Sequence, residues 1–271
     1  MFFKLILYKN LFFKIGIIIL IIFLHGQSIH SKKLESLKKT NKFSVKRLSA
    51  SDMTEIYNNN FTDTGLSETV RIIDSRSFLE YENKHLPFSI CIPEKLTSEL
   101  LPEKIKKKDL KLIFYCSRKL CSDAENSAQK AIDSGYKNVW VYYEGIEEWE
   151  KNKFKIETGE IFGLNIDSEI KSIKPGDLNK ILDKTMLIDL IGDKYVGFIP
   201  NSVIMPVDEF YFKYFKIPQN KNIVVYYLNN KLAILAIKFL FVKGYDISKI
   251  KYLEGGIFNW KNCGYEIKNN Q

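Results

Sequence analysis

Apolar residues along the chain come in short runs of four or five, each ending on a polar residue and followed by helix signals. Val70-Arg71-Ile72-Ile73 ends on Asp74-Ser75-Arg76, Leu112-Ile113-Phe114-Tyr115 runs straight into Cys116, and Val139-Trp140-Val141-Tyr142 precedes Gly145. Runs this short and this continuous read as strands buried on both faces. Between them, Ser51 is expected to cap a short helix through Tyr57, closed by Asn58-Asn59-Asn60. Ser77 to Tyr81 reads as a helical turn, Ile90-Cys91-Ile92-Pro93 as a short strand closed by proline, and Glu103 to Asp109 as a charged helix or loop. Ser122-x-x-Glu125 has the form of a capping box heading a helix from Ala124 to Asp133, which ends at Ser134-Gly135. Gly145 turns the chain into a helix bearing Trp149. Strands that alternate with helices predict an α/β fold, a mostly parallel sheet flanked by helices on both faces.

The second half repeats the first. Leu187-Ile188-Asp189-Leu190 follows Ile72-Ile73-Asp74-Ser75, and the segment from Gly197 to Pro206 follows that from Lys84 to Pro93. Ile223-Val224-Val225-Tyr226-Tyr227 follows the strand that ends at Cys116, and Gly244-Tyr245 with Glu254 to Trp260 follows the close. Two α/β domains are therefore expected, over 45–158 and 165–271. The copy differs at the polar positions: Tyr227 stands for Cys116, Ile191 for Arg76 and Phe198 for His85. From Cys116 to Gly135 the chain advances 19 positions and from Tyr227 to Gly244 it advances 17, so with equal helices the first loop is longer by two residues.

Composition narrows the function classes. A chain of 271 residues with 45% hydrophobic and 14% aromatic residues can build packed cores and is not a disordered protein. The net charge of +9 comes mostly from lysines scattered among acidic residues; the arginines are Arg47, Arg71, Arg76 and Arg118, with no dense basic stripe. A nucleic-acid partner is not expected from that distribution. Four cysteines (Cys91, Cys116, Cys121 and Cys263) and three histidines form no metal-ligand spacing, so neither a metal nor another cofactor is implied. Cys263 is expected to be a buried or inert thiol. At the N-terminus Lys4, Lys9 and Lys14 precede the apolar run Ile15 to Leu24. That run falls short of the ~20 residues that span a bilayer, and the pattern is that of a secretory signal over 1–28, with a polar linker over 29–44. The expected location is outside the cytoplasm, periplasmic or otherwise extracytoplasmic; the alternative is an uncleaved anchor, with membrane attachment only through residues 1–28.

The chemistry gathers around Cys116. A strand that runs into a cysteine, then a short basic loop, then a helix start, directs backbone N–H groups and the positive helix end at one point. That favours an anion and pushes a thiol toward thiolate. The loop Ser117, Arg118, Lys119, Leu120, Cys121 and Ser122 is the expected anion site. Taken in order, Ile72 to Tyr81, Lys84-His85-Leu86-Pro87, Ile92-Pro93, the Cys116 loop, Gly135 to Val139 and Glu144 to Trp149 resemble a rhodanese domain. The resemblance implies a sulfurtransferase in which Cys116 carries a persulfide from a small anionic donor, of thiosulfate or persulfide type, to a thiol or cyanide acceptor. It places the family's Asp-x-Arg pair on Asp74 and Arg76, expected here as a structural ion pair beside the site, and makes His85 a turn histidine. The second half then resembles a rhodanese domain without the chemistry, since a phenol with a pKa near 10 does not take up sulfane sulfur in this way. Two rivals stand beside this reading. Cys116 and Cys121 in one loop suit a thiol–disulfide redox protein in an oxidising compartment, and the fold alone suits a non-catalytic binding module. A Cys-x5-Arg phosphatase loop would need arginine where Ser122 stands.

Overall fold

Strand β4 (Lys111–Tyr115) lies at the centre of a five-stranded sheet, hydrogen-bonded on one side to β2 (Val70–Asp74) and on the other to β5 (Asn138–Tyr142). The computed structural model describes residues 45–61, 67–193 and 196–269. The expected signal and linker lie outside the described residues. The sheet is completed by β3 (Ser89–Cys91) beside β2 and β1 (Lys46–Leu48) beside β5, in the order β1-β5-β4-β2-β3, and every pair is parallel. A parallel sheet must be covered on both faces, which accounts for the uninterrupted apolar run of β4. Its side chains alternate. Ile113 and Tyr115 pack with Leu48, Met53, Ile146 and Trp149, residues of β1, of α1 (Ala50–Asn60) and of α5 (Gly145–Lys151). Leu112 and Phe114, equally buried, point to the opposite face. Between β4 and β5, α4 (Asp123–Asp133) covers the sheet and buries the small residues Ala124, Ser127, Ala128 and Ala131, which let the helix approach closely.

The second half builds the same architecture. Its sheet contains β6 (Lys171–Ile173), β7 (Met186–Asp189), β8 (Val203–Ile204), β9 (Ile223–Tyr226) and β10 (Ile250–Leu253) in the order β6-β10-β9-β7-β8, again parallel throughout. Helices α6 (Pro175–Asn179), α7 (Val207–Lys213), α8 (Asn230–Val242) and α9 (Gly256–Asn262) connect the strands. Both sheets belong to one compact unit, Lys46–Gln271. Their junction is aromatic: Phe78, at the start of α2 (Phe78–Asn83), stacks on Tyr211 at 4.4 Å and meets Phe239 edge-on at 5.3 Å. The pairs Lys95–Asp208 (2.8 Å) and Lys213–Glu99 (3.3 Å) bridge the halves at the rim.

The expected α/β class is the observed one, with several local differences. Helix α1 is capped by Ser49, not Ser51, because Ser49 and Asp52 complete a reciprocal capping box; the helix then runs through the asparagines to Phe61. The segment Glu103 to Asp109, read as a charged helix or loop, is loop from residue 105 on; the helix before it is α3 (Thr97–Lys104), whose internal Pro102 disguised its pattern. Strand β1 has a single buried residue, Leu48, and an edge strand with one inward position leaves no periodic signal. Helix α4 begins at Asp123, one residue before the expected Ala124, and the Ser122 capping box is not made. Ser122 is itself in the helical region, and Glu125 is drawn to Arg47 at 2.6 Å. Cys263 is exposed, not buried. Among the described residues no helix is long and apolar enough to cross a membrane.

Candidate functional site

Cys116 follows directly on the central strand, at the carboxyl edge of the sheet, where open α/β folds place their ligands. Its carbonyl accepts the N–H of Ile146 and the carbonyl of Ser117 accepts that of Glu147, both at 3.0 Å, so the start of α5 clasps the base of the loop. The clasp requires glycine. Gly145 has φ +71°, and a Cβ there would lie 2.6 Å from the Cys116 oxygen and 2.8 Å from the Arg118 nitrogen. Beyond the clasp the loop doubles back. The Cys121 N–H donates to the Arg118 carbonyl at 3.1 Å, and Leu120 adopts the left-handed conformation (φ 68°) with its side chain 88% exposed. The reversal returns Cys121 to Cys116, and the two are joined as a disulfide with their Cα atoms 6.4 Å apart. Cys116 is buried at 2% exposure, and Cys121 is partly exposed.

The loop's charge is mixed. Arg118 is exposed and makes no ion pair among the described residues, so its guanidinium is available to an anion. Lys119 stands 3.8 Å from Glu144. The Ser117 hydroxyl donates to Glu80 at 3.4 Å, and Glu80 also closes a capping box with Ser77 at the head of α2. Asp123 in the first turn of α4 is pushed up by burial, and by Glu94 and Glu80. Carboxylates at a helix start complement its dipole and compete with an incoming anion. Glu80 and Glu144 were not among the expected site residues; the Ser77-x-x-Glu80 spacing was the available signal for the first.

Asp74 and Arg76 form a buried pair beneath the loops. Arg76 Nε donates to Asp74 Oδ1 at 2.9 Å, Arg76 Nη2 to Oδ2 at 2.5 Å, and Nη2 also to the Lys84 carbonyl at 2.7 Å. Burial works against the guanidinium charge, but Asp74 outweighs it and raises the Arg76 pKa. Tyr115 donates to Asp74 at 2.6 Å and accepts the Leu86 N–H at 3.1 Å; burial first, then Asp74, holds its phenol well above the ordinary value. His85, expected in a turn, lies instead in an isolated antiparallel bridge with Glu157, just before the turn at 87–88; its Nδ1 lies 2.7 Å from the Tyr81 carbonyl and its ring stacks on Tyr81. Cys91 is buried and its thiol is pushed well up by burial and by Asp74, which suppresses the thiolate.

The second half reproduces this scaffold without its charged parts. Tyr226 donates to Asp189 at 2.7 Å and accepts the Ile199 N–H at 3.1 Å, as Tyr115 does with Asp74 and Leu86. The Tyr227 carbonyl accepts the Ile257 N–H at 3.0 Å, and Gly256 leaves no room there for a Cβ, so Tyr227 occupies the place of Cys116. Phe198 pairs with Lys268 as His85 does with Glu157. The Ile191 N–H donates to Asp189 at 2.6 Å, as the Arg76 N–H does to Asp74 at 3.0 Å, but the guanidinium bonds are missing and the Gly192 N–H (3.3 Å) is added. The two loops differ more than the sequence distances imply. Six residues (117–122) separate Cys116 from α4, and two (228–229) separate Tyr227 from α8. Helix α8 has 13 residues against 11 in α4, which conceals half of the difference.

No curated protein is significantly similar to the chain. Among solved structures it is similar to a thiosulfate sulfurtransferase from Pseudomonas aeruginosa, at 15% identity and a TM-score of 0.38, over 84% of this chain and 44% of that one. It therefore spans less than half the length of that protein. It is also similar to a rhodanese-related protein from Thermoplasma volcanium (25% identity, TM-score 0.32, 36% of this chain and 96% of that one). A rhodanese with anions from E. coli matches at 20% identity and a TM-score of 0.29, over 34% of this chain and 100% of that one. The family model of the rhodanese-like domain matches twice, over residues 55–152 and 174–263. With two sequential matches over most of its length, on two sheets of one topology, the chain belongs to the rhodanese-like family.

Proposed function

We propose that the chain is an exported sulfurtransferase whose first domain is active and whose second is a silent copy. Cys116 is the nucleophile. Its thiolate attacks the sulfane sulfur of a thiosulfate-type donor, sulfite leaves with the bonding pair, and a persulfide remains on Cys116. The loop amides and Arg118 stabilise the thiolate and the anionic donor. The observation that carries this reading is the contrast between the two copies. One strand-end position, its carbonyl clasped by a matching backbone N–H (Ile146 on Cys116, Ile257 on Tyr227), has a thiol and a six-residue loop in one half and a phenol and a two-residue loop in the other. Asp74 and Arg76 act as a structural brace under the loops. Export follows from the basic and then apolar N-terminus.

A second reading is favoured by the disulfide itself: a thiol–disulfide redox protein in which Cys116 and Cys121 exchange electrons with a partner and carry no sulfur. Mass spectrometry of reduced protein, freed of reductant and given thiosulfate without oxygen, separates the two. In Cys121→Ser, where the disulfide cannot form, Cys116 should gain about 32 Da, one sulfur atom, with about one equivalent of sulfite released. Cys116→Ser should gain nothing, and Tyr227→Phe should behave as the wild type. Absence of the gain in Cys121→Ser, with the fold intact, would overturn the sulfurtransferase reading; a binding module or a redox protein would then remain.

A further inference from the structure

The Cys116 loop contains a second sulfur that simple transfer does not use. The loop reverses through a left-handed Leu120 whose side chain is 88% exposed and gains no burial in return. That conformation is disfavoured for a residue with a side chain. Its result is to bring the Cys121 sulfur onto the Cys116 sulfur, a bond the structure contains. Six residues of loop allow the reversal, and the two-residue loop of the silent copy does not.

From this we infer, on the basis of the sulfurtransferase reading, that Cys121 is a resolving thiol and that the domain releases its sulfur as sulfide. After thiosulfate has loaded Cys116, the Cys121 thiolate attacks Sγ of Cys116. The Sγ–S bond of the persulfide breaks, hydrosulfide leaves with the electron pair, and the Cys116–Cys121 disulfide forms. The sulfane sulfur gains two electrons and the two cysteine sulfurs lose them, so the step is balanced without a further oxidant. Attack falls on Sγ of Cys116, and not on the outer sulfur, because Sγ is the atom to which the loop brings Cys121. A neighbouring thiol in one loop also has the advantage of an intramolecular reaction over a free acceptor.

The oxidised loop is closed to donors, since Cys116 is 2% exposed, and an external dithiol must reopen it. That reductant meets Cys121, the more exposed of the two residues, and forms a mixed disulfide there; Cys116 leaves as the thiolate. The second thiol of the reductant then releases Cys121. Exposed Leu120, adjacent in the chain, offers an apolar contact to the incoming protein. The acceptor class is therefore a dithiol protein, and the product is sulfide.

The test is a single turnover on the full chain in a Cys263→Ser background, which removes the exposed thiol outside the loop. Protein is reduced, freed of reductant, mixed with thiosulfate under argon and quenched with an alkylating agent, and sulfide is collected from the gas stream. The chain with both loop cysteines should yield about one equivalent of sulfide and end about 2 Da lighter, with Cys116 joined to Cys121. Adding Cys121→Ser should hold the extra sulfur on Cys116 and release less than about a tenth as much sulfide. Retention of the persulfide by the chain with both cysteines, or equal sulfide from both proteins, would overturn the inference while the sulfurtransferase reading stands. No sulfur uptake by either would overturn both.

Discussion

Asp74 and Asp189 stand at the same strand end in the two halves and accept the same tyrosine bond, yet only Asp74 faces an arginine. Arg76 is 4% exposed, so Asp74→Asn leaves a buried guanidinium without its carboxylate. The expected cost at neutral pH is about 3–5 kcal/mol. Asp189 has no such partner; burial pushes its pKa above the ordinary 3.8, against the pull of Tyr226 and two backbone N–H groups. An acid raised in the folded state contributes stability that is present below its unfolded value and lost as pH rises through its folded value. Asp189→Asn should therefore cost less than Asp74→Asn, and its cost should shrink as pH is raised from 3.8 upward. Denaturant titrations of both variants across that range check this; equal costs at pH 7 would contradict the assignment of Arg76 as the charge that Asp74 holds.

At the level of elements, the site depends on how closely α5 approaches the loop. Gly145 and Gly135 both have positive φ at the end of a connection, but their surroundings differ. A Cβ on Gly135 meets nothing within 4 Å, and one on Gly145 meets the backbone of Cys116, Ser117 and Arg118. Gly135→Ala should cost only the conformational strain, about 1–2 kcal/mol. Gly145→Ala adds overpacking against backbone that cannot rotate away, for a total of about 3 kcal/mol or more, and should lower sulfur uptake by Cys116 in the Cys121→Ser background. Unfolding midpoints and the mass gain on Cys116 give both readouts. A Gly145→Ala protein as stable and as reactive as its parent would show that the clasp does not shape the loop. The contrast between α4 and α8 makes the same point: a longer helix and a shorter loop leave the second copy no room for a reversal.

At the scale of the whole molecule, two sheets of one topology meet across an aromatic junction, and α2 links that junction to the site. Phe78 at its start stacks on Tyr211, and Glu80 two residues further along reaches Ser117 of the loop. The second domain thereby supports the element that faces the Cys116 loop. Export belongs to this scale as well. The proposal requires cell fractionation to find the mature chain outside the cytoplasm, with its N-terminus near Ile29. Full-length protein confined to the cytosol would refute it, and an intact N-terminus in the membrane fraction would favour the anchor.

Much of this architecture was legible in the sequence, because parallel strands buried on both faces leave continuous apolar runs and the repeat shows each run twice. The position of Cys116 at a strand end, the copy's Tyr227 and the alternation of strand and helix all follow from that pattern. Features that depend on a single contact left no periodic trace. Edge strand β1 has one buried residue, the cap of α1 is decided between Ser49 and Ser51 by where Asp52 points, and Glu125 abandons Ser122 for an arginine 78 residues away. The loop difference was halved in the sequence because helix and loop lengths trade against each other along one chain. The tertiary structure alone decided that Cys121 returns to Cys116 and that Glu80 faces Ser117. Local sequence specifies which segments bury their side chains, whereas the direction of a six-residue loop is set by the backbone bonds and close contacts that the packed sheet and α5 impose on it.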